Sequence, residues 1–257
     1  MKIILIAVFM STITFGQLTG REIMDKVDAL PEPESAISNL EMTLISEKRG
    51  KIKERRREIT RYQKNYDTGD FESKSLIRFL YPVDVKGTGF LMWEYVSEKD
   101  DDQWLFLPAL GKVKRIAARE KSENFMGSDF SYEDIGERDI NDDTYEFLAE
   151  EDIEGIPCYK IKAVPVAKDA SYLYRNIWVD TTNWILKKVE YYDKRGDLLK
   201  ILEFIKQELE GDYWSIYEMR MENVQKNHKT IMKMSNIQYD TGISNDYFTE
   251  RFLTRIQ

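Results

Sequence analysis

The amino-acid sequence predicts a mainly β protein laid out as an antiparallel meander, which leaves a sheet, a sandwich or a barrel as its architecture. Three observations predict it. Apolar residues recur with a period of two over most of the chain: Leu40, Met42 and Leu44, for instance, alternate with Glu41, Thr43 and Ile45. Clusters of turn formers separate the runs, at Asp67–Gly69, Lys86–Gly89, Gly111, Gly155, Thr181–Asn183, Arg195–Gly196 and Gly211. No long helical segments alternate with these runs, which argues against a parallel α/β arrangement.

The elements follow in chain order. Residues 1–16 carry one positive charge at Lys2, run apolar from Ile3 to Phe15 and end in small residues, the pattern of a secretory signal peptide. The run is shorter than the roughly 20 apolar residues that a bilayer span needs. No cysteine follows it, which argues against lipid anchoring, so a soluble mature chain is expected from Gln17, as one domain over 17–257. Thr19 and Glu22 then make a capping box, and Ile23, Val27 and Leu30 share one helical face before Pro31 and Pro33 stop the helix. A turn at Gly50 reverses the first strand into a charged strand over 51–62. Further strands are expected near 75–81, 90–96, 103–108, 112–117, 144–149, 156–164, 171–180, 184–193, 198–209, 213–224 and 229–240. Between 119 and 140 the strand pattern fails. The segment REKSENFMGSDFSYEDIG reads as a long loop with one or two short helical turns, and such connections usually carry function. In the closing NDYFTERFLTR, Phe248, Phe252 and Leu253 would dock a terminal helical turn.

Composition excludes several function classes. A net charge of -8 argues against nucleic acid as a partner, since phosphate binding needs a basic footprint. Cys158 is the only cysteine, so there is no internal disulfide, and within IPCYKIKAV it reads as a small buried hydrophobe. His228, the only histidine, lies in the polar stretch QKNHKT and reads as a surface residue. One His and one Cys cannot supply a zinc site, and nothing near His228 resembles a nucleophile for it to activate. Asp100–Asp102 and the group Asp139, Asp142 and Asp143 lack the ligand ladder of a calcium loop. GKVKR at 111–115 lacks the upstream glycine of a phosphate loop. No metal, cofactor or catalytic residue is therefore expected, and the protein is not expected to be an enzyme. The basic run Lys48, Arg49, Lys51, Lys53, Arg55, Arg56 and Arg57 reads as a solvated hairpin whose charge blocks edge-to-edge pairing. The alternative is a docking patch for anionic head groups or an acidic partner.

The middle of the chain is unusually apolar: FLYPVDVKGTGFLMWEY at 79–95 and DDQWLFLPALGKVKRIAA at 101–118. Leu91, Trp93 and Tyr95 point one way and Phe90 and Met92 the other; Trp104 and Phe106 oppose Leu105 and Leu107. A sheet with one wet face does not read this way. Either these strands are sandwiched, or one face lines an apolar cavity that helices close.

These blocks, with ENFMGSDFSYEDIG at 123–136, WVDTTNW at 178–184 and the closing NDYFTERFLTR, resemble the outer-membrane lipoprotein-sorting family, the LolA-like proteins. The likeness is greatest to the longer members associated with resistance-nodulation-division (RND) exporters. It implies a single antiparallel, strongly curved sheet, an incomplete β-barrel, with short helices covering its open side. It implies a periplasmic carrier that holds the acyl chains of a lipoprotein or lipid between sheet and helices. Cargo would come from an inner-membrane exporter of RND or ATP-binding-cassette (ABC) type and pass to an outer-membrane acceptor. On this reading Leu91, Trp93, Tyr95, Trp104 and Phe106 are expected to line the acyl cavity. Ile23, Val27, Leu30, Phe125, Met126 and Phe130 are expected to form its lids. Family carriers hold their closed state with an arginine on an early strand, and Arg78 is the expected counterpart. A sensor of exposed acyl chains, and an exporter accessory with no cargo, are the alternative functions.

Overall fold

The computed structural model describes residues 17–96 and 99–255, so the expected signal peptide at 1–16 lies outside the described residues. The first described element is a helix, α1 (Gly20–Asp28), whose capping box at Thr19 and Glu22 is formed. The chain then enters β1 (Ser35–Lys48), β2 (Lys51–Asn65), β3 (Phe71–Tyr81), β4 (Gly89–Tyr95), β5 (Asp102–Leu107) and β6 (Lys112–Arg115). A long connection carries one helical turn, α2 (Tyr132–Ile135), flanked by 3-10 turns. Strands β7 (Asp143–Ile153), β8 (Ile156–Pro165), β9 (Tyr174–Asp180), β10 (Leu186–Tyr192), β11 (Leu198–Glu210), β12 (Tyr213–Asn223) and β13 (His228–Tyr239) follow, and a last turn, α3 (Glu250–Leu253), ends the described chain.

All thirteen strands belong to one antiparallel sheet ordered β6-β5-β4-β3-β2-β1-β13-β12-β11-β10-β9-β8-β7. Every junction but one joins strands consecutive in sequence. The exception, β1 with β13 in the register Leu40↔Met234, joins the two halves of the meander. Strands β6 and β7 are left as the two edges, so the sheet is open, as the family resemblance implied. Bulges bend it: the register slips at Ile37/Asn39, Phe147/Ala149, Leu186/Lys188 and Phe204/Lys206, and each extra residue adds local twist and curvature.

The two faces of the sheet carry separate apolar clusters. The inner one gathers alternate residues from strands throughout the sheet, among them Leu40, Met42, Ile59, Phe79, Phe90, Leu105, Ile161 and Leu202. All eight methionines of the described residues lie in it or pack against it. The outer cluster holds Leu76, Leu91, Trp104 and Phe106 beneath Ile243, Phe248, Phe252 and Leu253 of the C-terminal segment. The apolar double face of β4 and β5 therefore has a plain cause: these strands are sandwiched. Gly89 lets the outer cover come close, for a Cβ there would lie 2.6 Å from Leu253 Cδ1 and 2.8 Å from Arg78 Nη1. Gly20 does the same for α1, where a Cβ would stand 2.9 Å from the backbone of Glu146 on β7.

Candidate functional site

The inner face is covered by two pieces of chain. Helix α1 buries Ile23 completely and half-buries Met24 and Val27 against the inner cluster, while Lys26 sits 5.0 Å from the Trp184 ring. The second piece is a strap, residues 116–142, which carries the chain from one sheet edge to the other across this face. Its aromatics fill the interior. The Phe125 ring lies 5.1 Å from Phe90, 6.0 Å from Phe79 and 5.6 Å from Tyr132, and Phe130 is buried in the same cluster.

Polar tethers hold the strap. Arg57 is buried on the inner side of β2, over the Phe79 ring, and donates to the main-chain carbonyl of Met126. Burial, then the neighbouring Arg55, lowers its pKa below the usual guanidinium value, so this is a charge held at a desolvation cost. Met126 itself is left-handed, with φ 48°, a conformation that L side chains adopt only under local constraint. Three residues on, the Asp129 carboxylate is buried. It accepts from Thr230 Oγ1 at 2.7 Å and lies 2.7 Å from His228 Nδ1, while its backbone N–H donates to Thr230 Oγ1 at 3.0 Å. Gln103 Nε2 donates to the Tyr132 carbonyl at 3.2 Å. Asp134, on α2, accepts from Lys200 Nζ and from Tyr172 OH, each at 2.8 Å, tying the strap to β11 and to the connection before β9. Glu94 Oε1 accepts from the Glu137 N–H at 2.6 Å. At the strap's end Asp143 accepts from Arg138 Nε at 2.6 Å and pairs with Arg175.

The sequence-expected site residues divide between the two faces. Ile23, Val27, Phe125, Met126 and Phe130 all belong to or pack against the inner cluster, whereas Leu30, half-buried, stands outside it. Leu91, Trp104 and Phe106 belong to the outer cluster with Trp93, whose Nε1 donates to the Phe248 carbonyl at 2.9 Å. Tyr95 ends β4 on the same parity and donates its OH to Asp102 Oδ2 at 2.8 Å. The expectation that these residues share one cavity with the lids is thus corrected. Neighbours on a strand point to opposite faces, so Phe90, Met92 and Leu105 meet the lids while Leu91, Trp104 and Phe106 turn away from them. Arg78 is corrected likewise. It donates to the Phe252 and Leu253 carbonyls at 3.0 and 2.8 Å and to the Gly87 carbonyl at 3.1 Å, clamping the outer segment rather than the strap.

Arg57 is the strand arginine that meets the covering loop, and a signal for it was present: it lies two residues before Ile59 and so shares that residue's inward face. His228 is half-buried in the strap tether rather than a surface residue. Cys158 is buried as expected, and burial pushes its thiol up to about 11.

Comparison with known proteins assigns this architecture. A crystal structure of an outer membrane lipoprotein-sorting protein domain from Vibrio parahaemolyticus is 33% identical over 92% of this chain and 98% of its own, with a TM-score of 0.85. The chain belongs to the family of this outer membrane lipoprotein-sorting protein domain. A DUF1329 family protein from Desulfovibrio piger is also 33% identical, over 91% of this chain and 97% of its own, with a TM-score of 0.84. The structure of a LolA superfamily protein from Nitrosomonas europaea shares the fold at 18% identity and a TM-score of 0.71, over 92% of this chain and 100% of its own. The family model that matches residues 72–255 describes its members as an uncharacterized protein. A search of curated proteins finds no match. The overall fold is thus shared with these relatives, while the tethers are read from this chain's own residues.

Proposed function

We propose that this protein is a periplasmic carrier that holds acyl chains of a lipoprotein or lipid between the inner face of the sheet and its two covers, α1 and the strap. One observation carries the reading: an apolar inner face spanning the sheet is filled by aromatics of a connecting segment that polar contacts also tether. Phe125, Phe130 and Tyr132 occupy the ground that acyl chains would take. Each buried CH₂ of a lipid contributes about 0.8 kcal/mol, so a preformed cavity would hold two or three chains too tightly to release them. A cover that buries its own aromatics when no cargo is bound offsets part of that energy and keeps uptake reversible. The methionines suit the same task, since unbranched thioether chains repack around ligands of varied shape. In this reading the cavity is lined by Phe90, Met92 and Leu105 rather than by Leu91, Trp104 and Phe106. The cargo would be received from an inner-membrane RND or ABC exporter and passed to an outer-membrane acceptor, the chain having been exported by its signal peptide.

A disulfide engineered between positions 129 and 230, whose residues already touch, tests the role of the strap. The native Cys158 is buried and does not compete. The oxidised variant is expected to lose lipid uptake and to regain it on reduction. Equal uptake in both redox states would count against a moving strap.

A further inference from the structure

Beside the strap lies a cleft of about 870 Å³, lined on one side by β3–β5 and on the other by the β8–β9 connection. Ten carboxylates line it, Glu72, Glu94, Asp101 and Glu137 among them, and outnumber its four cations, Lys99, Lys121, Arg138 and Arg175. The charges acting on Glu72 and Glu94 are other carboxylates: after burial, Glu137 raises the pKa of Glu94, and Asp139, then Glu137, raise that of Glu72. Glu94 is 4% exposed and forms hydrogen bonds with Ser73 and the Glu137 N–H, with no cation beside it among the described residues. A second, independent feature is Gln103. It is 3% exposed, lines the same cleft and gives its Nε2 to the Tyr132 carbonyl, which identifies Oε1 as the acceptor; that oxygen has no partner among the described residues. The site thus offers carboxylates in excess of its cations and a buried carbonyl oxygen that lacks a donor.

We propose that this cleft binds an ammonium group, presented by the head of an amine-bearing lipid. An organic cation fits better than a metal ion, because among the described residues no three acidic, His or Cys side chains converge as metal ligands, whereas an ammonium carries several N–H donors for acceptors spread across a cleft. The lipid source follows from position. Gln103 also contacts Met92 Sδ at 3.4 Å, and Tyr172 and Tyr191, which line the cleft, are members of the inner apolar cluster. The strap residues that border the cleft sit next to Tyr132 and Ile135, which face the interior. A head group in the cleft would therefore have its chains beside the inner face. This deepens the carrier reading and, for the lipid, rests on it.

The test uses the mature protein and two probes. Vesicles of phosphatidylethanolamine and of phosphatidylglycerol with identical acyl chains are offered, and protein-bound lipid is measured after separation. Spermidine is titrated separately by calorimetry. The expected result is preferential uptake of phosphatidylethanolamine. In Glu72→Gln/Glu137→Gln, two exposed positions that leave the core intact, that uptake should weaken by about tenfold, the scale of one charge-assisted contact. Glu94→Gln, which keeps partners for Ser73 and the Glu137 N–H, is a second variant should the first unfold. Equal uptake of both lipids, unchanged in the variants, overturns the proposal while leaving the carrier reading in place. Saturable spermidine binding that the variants abolish, with no lipid taken up, keeps the ammonium site but makes its source a free amine and overturns the lipid head group. Neither lipid uptake nor spermidine binding overturns the proposal, and the carrier reading is then decided by lipoprotein cargo alone.

Discussion

Replacing Arg57 with leucine isolates the contact between sheet and strap. The guanidinium of Arg57 donates to the Met126 carbonyl, and a hydrogen bond from a charged donor contributes about 1.5–3 kcal/mol. Part of that is offset, because the guanidinium is desolvated where it sits and leucine removes that cost. The net loss of strap closure is then about 1–2 kcal/mol, a factor of roughly 5–30 in the opening equilibrium. Amide hydrogen exchange reads this directly. The Phe125, Ser128 and Tyr132 N–H groups, bonded to the Phe130, Phe125 and Glu123 carbonyls, report the strap, and the amides of β12 and β13 report the sheet. Protection of the strap should fall by that factor while protection of the sheet stays constant, and lipid uptake should accelerate with it. Unchanged strap protection would refute the latch. A uniform fall across strap and sheet would refute it too, since Arg57 would then support the whole fold rather than its cover.

Two further predictions concern the faces and the buried acid. Trp104→Ala on the outer face should cost about 3–5 kcal/mol of stability yet leave lipid uptake unchanged where the protein is folded. Met92→Ala on the inner face should cost about 2–5 kcal/mol and also reduce uptake, as measured by denaturant melts beside a fluorescent fatty-acid titration. The Glu94 carboxyl is pushed up to about 8 by burial and by Glu137. A carboxyl whose folded pKa lies above its unfolded value binds more protons folded than unfolded, so the protein should lose stability as pH rises from about 5 to about 8, by on the order of 2–4 kcal/mol. Glu94→Gln should flatten that slope in thermal melts, and a stability that rises over the same window in the wild type would contradict the assignment.

The strand pattern was legible because period-two alternation and turn residues are local. The short runs such as 112–117 and the helix capped by Thr19 and Glu22 both appear where the residues place them. The strap was legible for the opposite reason, as the place where alternation stops. Which face is inward was not legible. On β4 and β5 both faces are apolar, and only the docking of Phe248, Phe252 and Leu253 distinguishes them, a contact between residues more than a hundred positions apart. The same long-range contact claimed Arg78, which lies one residue from Phe79 yet points to the other side of the sheet. Arg57 was obscured by its neighbours, since a run of seven basic residues reads as a solvated face unless the alternation from Ile59 is carried back through it. The tethers of Asp129, Asp134 and Glu94 join distant segments, and no local pattern announces them.

The central claim is that an acyl-bearing molecule occupies the inner face. Native mass spectrometry of the mature protein purified from its own periplasm, followed by lipid extraction, tests it most directly. A stoichiometric adduct with the mass of a lipid or an acylated peptide, lost when the 129–230 disulfide is oxidised before exposure to cargo, is the predicted result. A bare protein mass that stays bare after incubation with lipid vesicles and with detergent-solubilised lipoprotein would contradict it.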